Sequence, residues 1–390
     1  MNLRIERIAV HLVEMKLGFT YSSGTLTCAR ALIWEIAAGG VTGLGECGFS
    51  GERSVPGLAP GLGGGTSPGL KQALARWTEP LIGRDAFALE ALLEPLPPVL
   101  DWDRLVIREG LSIALYDLAG KALGVPVYTL LGGRGRNRFP GMPVIHVGPA
   151  DVMVRRALKW TGAGYRFLKI KFRGRLGEDV EALRGIRRAV GDAVALVVDA
   201  NDGYGTVDEA ADAIAALNPC RVDYFEDMLN APNEALAELR RRTGCRIMVD
   251  RQATWPQIHE VVRAGAADVI NHHPDNQGGL ATALQIDAVA RAAGLETAIG
   301  SSGVFGIQDA AFMQLACVIG LTRPCEDIGM EPYAEGPARG EYAFDGPPDV
   351  IRHTYPIVAG VIDVPDAPGL GVELDPEALE RLRVDQLEFP

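Results

Sequence analysis

A chain of 390 residues has room for one large domain and a smaller one, and a hydrophobic content of 47% is enough for a buried core. Its 38 basic residues against 50 acidic ones leave a formal charge of −12, which argues against nucleic acid or an anionic membrane as partner, since both select a basic surface. No apolar run reaches the roughly 20 residues of a membrane helix, the opening MNLRIERIAVHLVEM lacks the pattern of a secretory signal, and the six cysteines are scattered without a CxxC pair, so a cytoplasmic protein with reduced thiols is expected.

In chain order, LRIERIAVHLVEM and LTCARALIWEIAAG predict two strands joined by KLGFTYSSGT, which has loop composition. VTGLGECG follows, and then SVPGLAPGLGGGTSPG, a Gly/Pro-rich stretch expected as a mobile surface loop. REGLSIALYDLAGKALG sets Leu111, Ala114, Leu115, Leu118 and Leu123 at helical spacing, with Gly124 and Pro126 as the stop. Residues 1–130 therefore read as an α+β unit.

From about residue 140 short apolar runs alternate with amphipathic stretches. The runs are MPVIHV, RFLKIKF, ALVVDAN, VDYFED, RIMVD, DVINHH and ETAIGS. Polar residues recur at their ends about every 23–30 residues: Lys171, Asp199, Glu226, Asp250, His273, and then Gly300. Repeated βα units of this length predict a parallel sheet, and seven or eight in succession favour a closed barrel over an open doubly wound sheet. No GxGxxG or P-loop sequence follows any of the runs, which lowers a nucleotide-binding alternative. The barrel is expected over 131–345. The stretch 346–390, with VIDVPDAPGLGVELD, is expected to return to the first unit.

A buried parallel strand should be apolar throughout, yet these strands end in Lys171, Asp199 with Asn201, Glu226, Asp250 and His273. In a barrel those ends form the mouth where active sites lie. Three carboxylates brought together repel unless a hard divalent cation such as Mg²⁺ neutralises them; the competing reading is that they cap helices or pair with arginines. Lys169 and Lys171 are two apart and so share a strand face. One reading is a solvated edge strand. If instead both point into the barrel, their repulsion favours a neutral amine at one of them, able to act as a base. A metal held beside it would acidify the proton α to a substrate carboxylate and stabilise the enolate formed.

GLSIALYDLAGKALGVPVYTLLGG at 110–133, the LKIK lysine pair, VVDAN at 197–201, YFED at 224–227, MVD at 248–250 and Gly278-Gly279 together resemble the enolase superfamily in its mandelate racemase/muconate lactonizing enzyme branch, over essentially the whole chain. The resemblance implies an α/β fold, a (β/α)7β modified TIM barrel under an α+β capping domain built from both chain ends. It implies Asp199, Glu226 and Asp250 as Mg²⁺ ligands with Asn201 beside them, Lys171 as the base and Lys169 as the neighbour that tunes it and contacts the substrate carboxylate. It also implies that the loop Gly18–Thr25, which holds Tyr21, and the later Gly-rich loop close over a small carboxylic acid. His146 and Ser301, at the ends of the first and seventh barrel strands, complete the candidate substrate contacts. A homo-oligomer, dimer or octamer, is expected on the same ground.

The chain also departs from that family. Relatives carry a lysine, or an aspartate paired with a seventh-strand histidine, where this chain has His273; its seventh strand ends in GSSG; and the second and third carboxylates are followed by Asp227-Met228 and Arg251-Gln252 in place of Gln-Pro and Glu-Ser. An imidazole can give and take protons at neutral pH, so His273 is expected as a second acid/base across the substrate from Lys171, while His272 points the other way. Return of the proton from the far face gives racemisation or epimerisation; expulsion of a β-hydroxyl gives dehydration; cycloisomerisation is a third outcome. The racemase or epimerase is the leading expectation, and a barrel that binds ligand without turnover is the alternative of a different class.

Overall fold

The computed structural model describes residues 3–20, 25–50, 68–95, 102–250, 254–255, 257–301, 305–326 and 349–390. The first unit contains three antiparallel strands, β1 (Arg7–Thr20), β2 (Thr25–Ala38) and β3 (Val41–Ser50), followed by helices α1 (Pro68–Thr78), α2 (Leu89–Leu93), α3 (Trp102–Leu123) and α4 (Val127–Leu130). Leu32, Trp34 and Ile36 alternate along β2 and pack with Leu111, Leu115 and Leu118 of α3. The glycines of VTGLGECG make this packing possible. A Cβ at Gly43 or Gly45 would come within 2.2 or 2.1 Å of the Ala114 or Gly110 carbonyl oxygen on α3, so the helix lies with its backbone almost against the strand.

The second unit begins with β4 (Arg138–Met142) and β5 (Val144–Ile145), two halves of one strand parted at Pro143, which has no N–H for a ladder bond. There follow α5 (Ala150–Gly162), β6 (Phe167–Lys171), α6 (Leu176–Val190), β7 (Ala195–Asp199), α7 (Val207–Leu217), β8 (Val222–Glu226), α8 (Asn233–Thr243), β9 (Ile247–Val249), α9 (Ile258–Ala264), β10 (Val269–His272), the short α10 (Pro274–Gln277), α11 (Leu280–Ala292), β11 (Glu296–Ile299), α12 (Gly306–Ala316) and β12 (Cys325–Glu326). Neighbouring strands from β5 to β12 pair in parallel, and β12 returns to β4 through Cys325–Gly141 and Glu326–Met142, which closes the barrel. Among the described residues, eight strand positions and the seven helices α5–α9, α11 and α12 make the (β/α)7β form expected from the sequence.

The chain end does two things. β13 (Ile357–Val358) and β14 (Val361–Asp363) form a hairpin that pairs antiparallel with β4, and only then do α13 (Pro376–Leu382) and β15 (Arg383–Phe389) reach β1, where Phe389 lies opposite Ile8. The structure is therefore an α/β barrel with a separate small sheet built from both ends of the chain. Among the described residues no helix is long and apolar enough to cross a membrane, and Cys47, Cys220, Cys245, Cys317 and Cys325 are free thiols.

Strand parity decides what faces inward. Leu168, Ile170, Leu196, Val198, Phe225, Ile247, Val249 and Ile270 pack outward against the helices, and each such burial contributes about 2 kcal/mol. That register turns the alternate residues into the barrel. Met142, Val197, Tyr224, Met248, Val269 and Ala298 fill its interior as one apolar layer. Residues one step further along each strand stand above this layer, at the mouth.

Candidate active site

One step beyond Val197, Tyr224, Met248 and Ala298 come Asp199, Glu226, Asp250 and Gly300; two steps beyond Val269 comes His273, and β6 adds Lys169 and Lys171. All of the charged residues are buried: Lys169, Asp199 and Glu226 are 1% exposed and Lys171 6%. The lysines do not stand against each other as isolated charges. Lys169 Nζ donates to Glu226 Oε1 at 2.9 Å and to Glu326 Oε2 at 3.2 Å and lies 3.3 Å from Asp199 Oδ2. Lys171 Nζ is 2.5 Å from the same Asp199 oxygen. Asn201 donates to Asp199 twice, from its backbone N at 2.7 Å and its Nδ2 at 3.3 Å.

This arrangement pulls the carboxylates apart electrostatically. Burial pushes the Asp199 carboxyl up, but the Lys171 and Lys169 ammonium groups beside it more than offset this and hold it down at about 2. Burial pushes Glu226 well above the ordinary carboxylate range; Lys169 opposes the rise, and the like charges of Glu326, Asp199 and Asp250 add to it. That mutual influence is what three carboxylates gathered at one mouth require.

Across the barrel, His273 is 3% exposed. Its Nε2 lies 3.6 Å from Asp250 Oδ1 and its Nδ1 3.4 Å from Asp275 Oδ1. Gly300 leaves the room: a Cβ there would sit 2.4 Å from His273 Nε2. β6 and β10 are four places apart around an eight-stranded barrel, so Lys171 and His273 stand on facing walls. His272 turns outward, with Nδ1 3.3 Å from Gln277 Oε1 and Nε2 3.6 Å from Asp287 Oδ1.

Other candidates are placed differently. His146 is half-buried just past β5, on the inward parity of Val144. The Ser301 hydroxyl donates to Asp309 Oδ1 at 2.5 Å, at the start of α12. Tyr21 lies outside the described residues, as do the rest of 21–24, most of the Gly-rich loop, Arg251-Gln252 and residues 302–303 of GSSG. Sequence reasoning missed Glu326, a fully buried carboxylate at the end of β12 that receives Lys169, the Asn271 amide at 3.2 Å and the Tyr224 hydroxyl. β12 is two residues long, too short to show as an apolar run. Asn271 did carry a usable sign, because the parity that turns His273 inward turns Asn271 inward as well.

Among the described residues no three His, Cys, Asp or Glu side chains stand together as a metal-holding group. The chemistry of the donor set nonetheless suits a hard divalent cation. Among the described residues Lys169 lies against Asp199, Glu226 and Glu326 and Lys171 against Asp199, and Glu226 Oε2 and Asp250 Oδ1 are buried with no hydrogen-bond partner. Oxygen ligands with spare lone pairs and excess negative charge are what Mg²⁺ takes.

A closed βα barrel whose mouth gathers buried lysines and carboxylates from several strands is the architecture of an enzyme. Residues 152–378 match the family described as Enolase C-terminal domain-like, and residues 4–132 match the Mandelate racemase / muconate lactonizing enzyme, N-terminal domain; the chain belongs to the mandelate racemase/muconate lactonizing enzyme family of the enolase superfamily. N-succinylamino acid racemase of Thermus thermophilus is 28% identical over 390 aligned positions, covering 98% of each chain. N-succinyl-L-Arg/Lys racemase of Bacillus cereus is 26% identical over 311 residues, 79% of this chain and 80% of that one. Its crystal structure has the same fold, with a TM-score of 0.86 at 23% identity over 99% and 100% of the two chains. The dipeptide epimerase of Enterococcus faecalis, solved with Mg and the dipeptide L-Leu-L-Tyr, superposes with a TM-score of 0.79 at 26% identity over 95% and 99%. Relatives thus span racemases and epimerases, together with cycloisomerases, and activity of this general kind follows for this chain.

Proposed function

We infer that the protein is a Mg²⁺-dependent racemase or epimerase that removes and returns the proton α to the carboxylate of a small acid, an N-acylated amino acid or a dipeptide. One observation carries the reading: Lys171 and the His273 ring occupy facing walls of a single mouth, with the carboxylates between them. The names of the relatives support the substrate class.

Asp199, Glu226 and Asp250 are the residues that would hold Mg²⁺, which when bound supplies positive charge to an anionic substrate. Lys171, an ammonium against Asp199 Oδ2 at 2.5 Å, first gives up a proton to solvent; as the neutral amine it then accepts the α-proton at Nζ, and the ammonium pair with Asp199 forms again. Lys169, held by Glu226 and Glu326, keeps a fixed cation below the substrate carboxylate. His273 gives a proton from the other face through Nε2, while Asp275 Oδ1, 3.4 Å from Nδ1, is the carboxylate nearest its other nitrogen. His146 lines the approach just past the first barrel strand, and Tyr21 is a substrate contact on the ground of the family resemblance; Ser301 acts on the site only if its hydroxyl leaves Asp309.

The reading includes a division into a cap at 1–130, a barrel at 131–345 and a returning segment at 346–390, a cytoplasmic location, and a homo-oligomer whose size light scattering would give. Its test is proton NMR in D₂O with Mg²⁺ on N-succinyl amino acids and dipeptides. Loss of the α-proton signal with appearance of the opposite configuration is the expected result. Formation of a keto acid would replace the racemase with a dehydratase, and silence across bound acids would replace it with a binding barrel.

A further inference from the structure

The Gly278-Gly279 pair has no part in the proton transfers, yet it lies five residues beyond His273 and against the cap. His273 precedes α10, whose Gln277 N donates back to the His273 carbonyl at 3.1 Å, and Gly279 N donates to the Pro274 carbonyl at 2.9 Å. Residues 273–279 are thus one hydrogen-bonded turn, and a shift at its far end is felt at the histidine.

The far end is held by the cap helix α3. Arg108, 5% exposed, donates through Nη1 to the Gly278 carbonyl oxygen and to Thr282 Oγ1 at 3.1 Å, and through Nη2 to Glu90 Oε2 at 3.3 Å. One helical turn later, Ser112 Oγ accepts from Leu280 N at 3.3 Å. Gly279 lies so close that a Cβ on it would meet the Ser112 side chain at 2.7 Å, and its φ of +101° is one that other residues rarely adopt. Glycine is required here on both counts. A guanidinium fork, unlike a lysine, can hold the carbonyl, the hydroxyl and the Glu90 carboxylate at once.

We propose that Arg108, with Ser112, is a positioning residue that sets the His273 imidazole against the substrate by clamping the Gly278-Gly279 turn to the cap. The proposal rests on the function inferred above and adds an asymmetry to it. Lys171 sits on β6, whose neighbours are β5 and β7, so the clamp bears on one face of the substrate only.

The test uses N-succinyl-L-arginine and N-succinyl-D-arginine with Mg²⁺ in D₂O, following α-deuterium uptake by each enantiomer separately. K171A and H273A first assign each enantiomer to its base. R108Q is then expected to slow uptake on the His273 face about 100-fold while the Lys171 face changes less than about threefold, since a displacement near 1 Å is enough for such a loss. R108K, which keeps the charge and one donor nitrogen but not the planar fork, should recover part of it. S112A, a milder change, should show the same one-sided loss if R108Q does not fold, and hydrogen exchange should rise in peptides spanning 277–283 but not in those spanning 195–226. Equal loss on both faces, or no change, overturns the clamp and leaves the proposed reaction standing. A wild-type enzyme that exchanges neither enantiomer overturns the reading on which the clamp rests, and the clamp with it.

Discussion

The two ends of the barrel are charged in opposite styles. At the N-terminal end, Asp223 lies 3.3 Å from Arg246 and 2.8 Å from Arg323, and Glu296 closes the ring by pairing with both arginines. Arg240 meets Asp268 beside it at 2.6 Å. These side chains are partly exposed, and every carboxylate has a guanidinium. At the C-terminal end the side chains are almost wholly buried, and among the described residues Lys169 and Lys171 serve Asp199, Glu226 and Glu326 while Glu226 Oε2 and Asp250 Oδ1 have no hydrogen-bond partner. Tyr224 spans the two ends, its ring 5.5 Å from the Arg323 guanidinium and its hydroxyl donating to Glu326. A matched ring closes a barrel; an unmatched buried set is costly to keep unless it does chemistry.

That contrast is broken most directly at the mouth. Lys171→Ala should lower α-proton exchange about 10³-fold on the face it serves and, because it leaves the buried Asp199 carboxylate with one ammonium fewer, lower the melting temperature as well; an unaltered rate would return Lys171 to a structural part. Removal of divalent cations by a chelator should abolish exchange. Added Mg²⁺ at 100 times its dissociation constant should stabilise the protein by about 2.7 kcal/mol in thermal unfolding, and Asp250→Asn should shrink that gain. A full gain in the variant would take Asp250 out of the metal site.

Much of this contrast is legible in the chain. LKIK, VVDAN and YFED each put a charged residue at the inward parity of an apolar run, which is a strong sign because burial of such a residue needs a reason. Where the sign is weak, the cause is physical. Glu326 ends a strand of two residues, so no periodicity announces it. Arg108 and Gly278 are 170 positions apart, and nothing local in either stretch names its partner. The lysine pair suggested repulsion, but Glu226, Asp199 and Glu326 come to it from other strands. The neighbours that decide a charge in a barrel are seldom its neighbours in sequence.

The N-terminal ring should answer in stability alone. Asp223→Asn removes the carboxylate charge that bridges Arg246 and Arg323 at a site about one third exposed; burial raises the Asp223 carboxyl and Arg246 only opposes the rise, so the change in stability should stay within about 1 kcal/mol, read from urea denaturation, with exchange rates unchanged. A lost activity at unchanged stability would mean that the two ends are coupled through Tyr224.

Glu46 supplies the finest distinction. It is fully buried, as the mouth carboxylates are, yet it lies on β3 of the cap and accepts the backbone N–H groups of Phe305 at 2.9 Å and Gln308 at 2.8 Å at the start of α12. Burial raises its carboxyl well above the ordinary range; the two N–H donors oppose the rise and the nearby Asp349 and Asp309 add to it. The sign for stability follows from that direction. Below about pH 4.3, the ordinary glutamate value, both folded and unfolded chains hold the proton, and the stabilisation is complete. As pH rises above it the unfolded chain releases the proton first, so stability falls until the folded pKa is passed. Glu46→Gln, which cannot ionise, should flatten this decline in thermal unfolding between pH 5 and pH 8 while leaving α-proton exchange intact. If exchange fell and the pH slope stayed, burial of an acid in this fold would mark function wherever it occurred, and the mouth would lose its distinction from the seam beneath the cap.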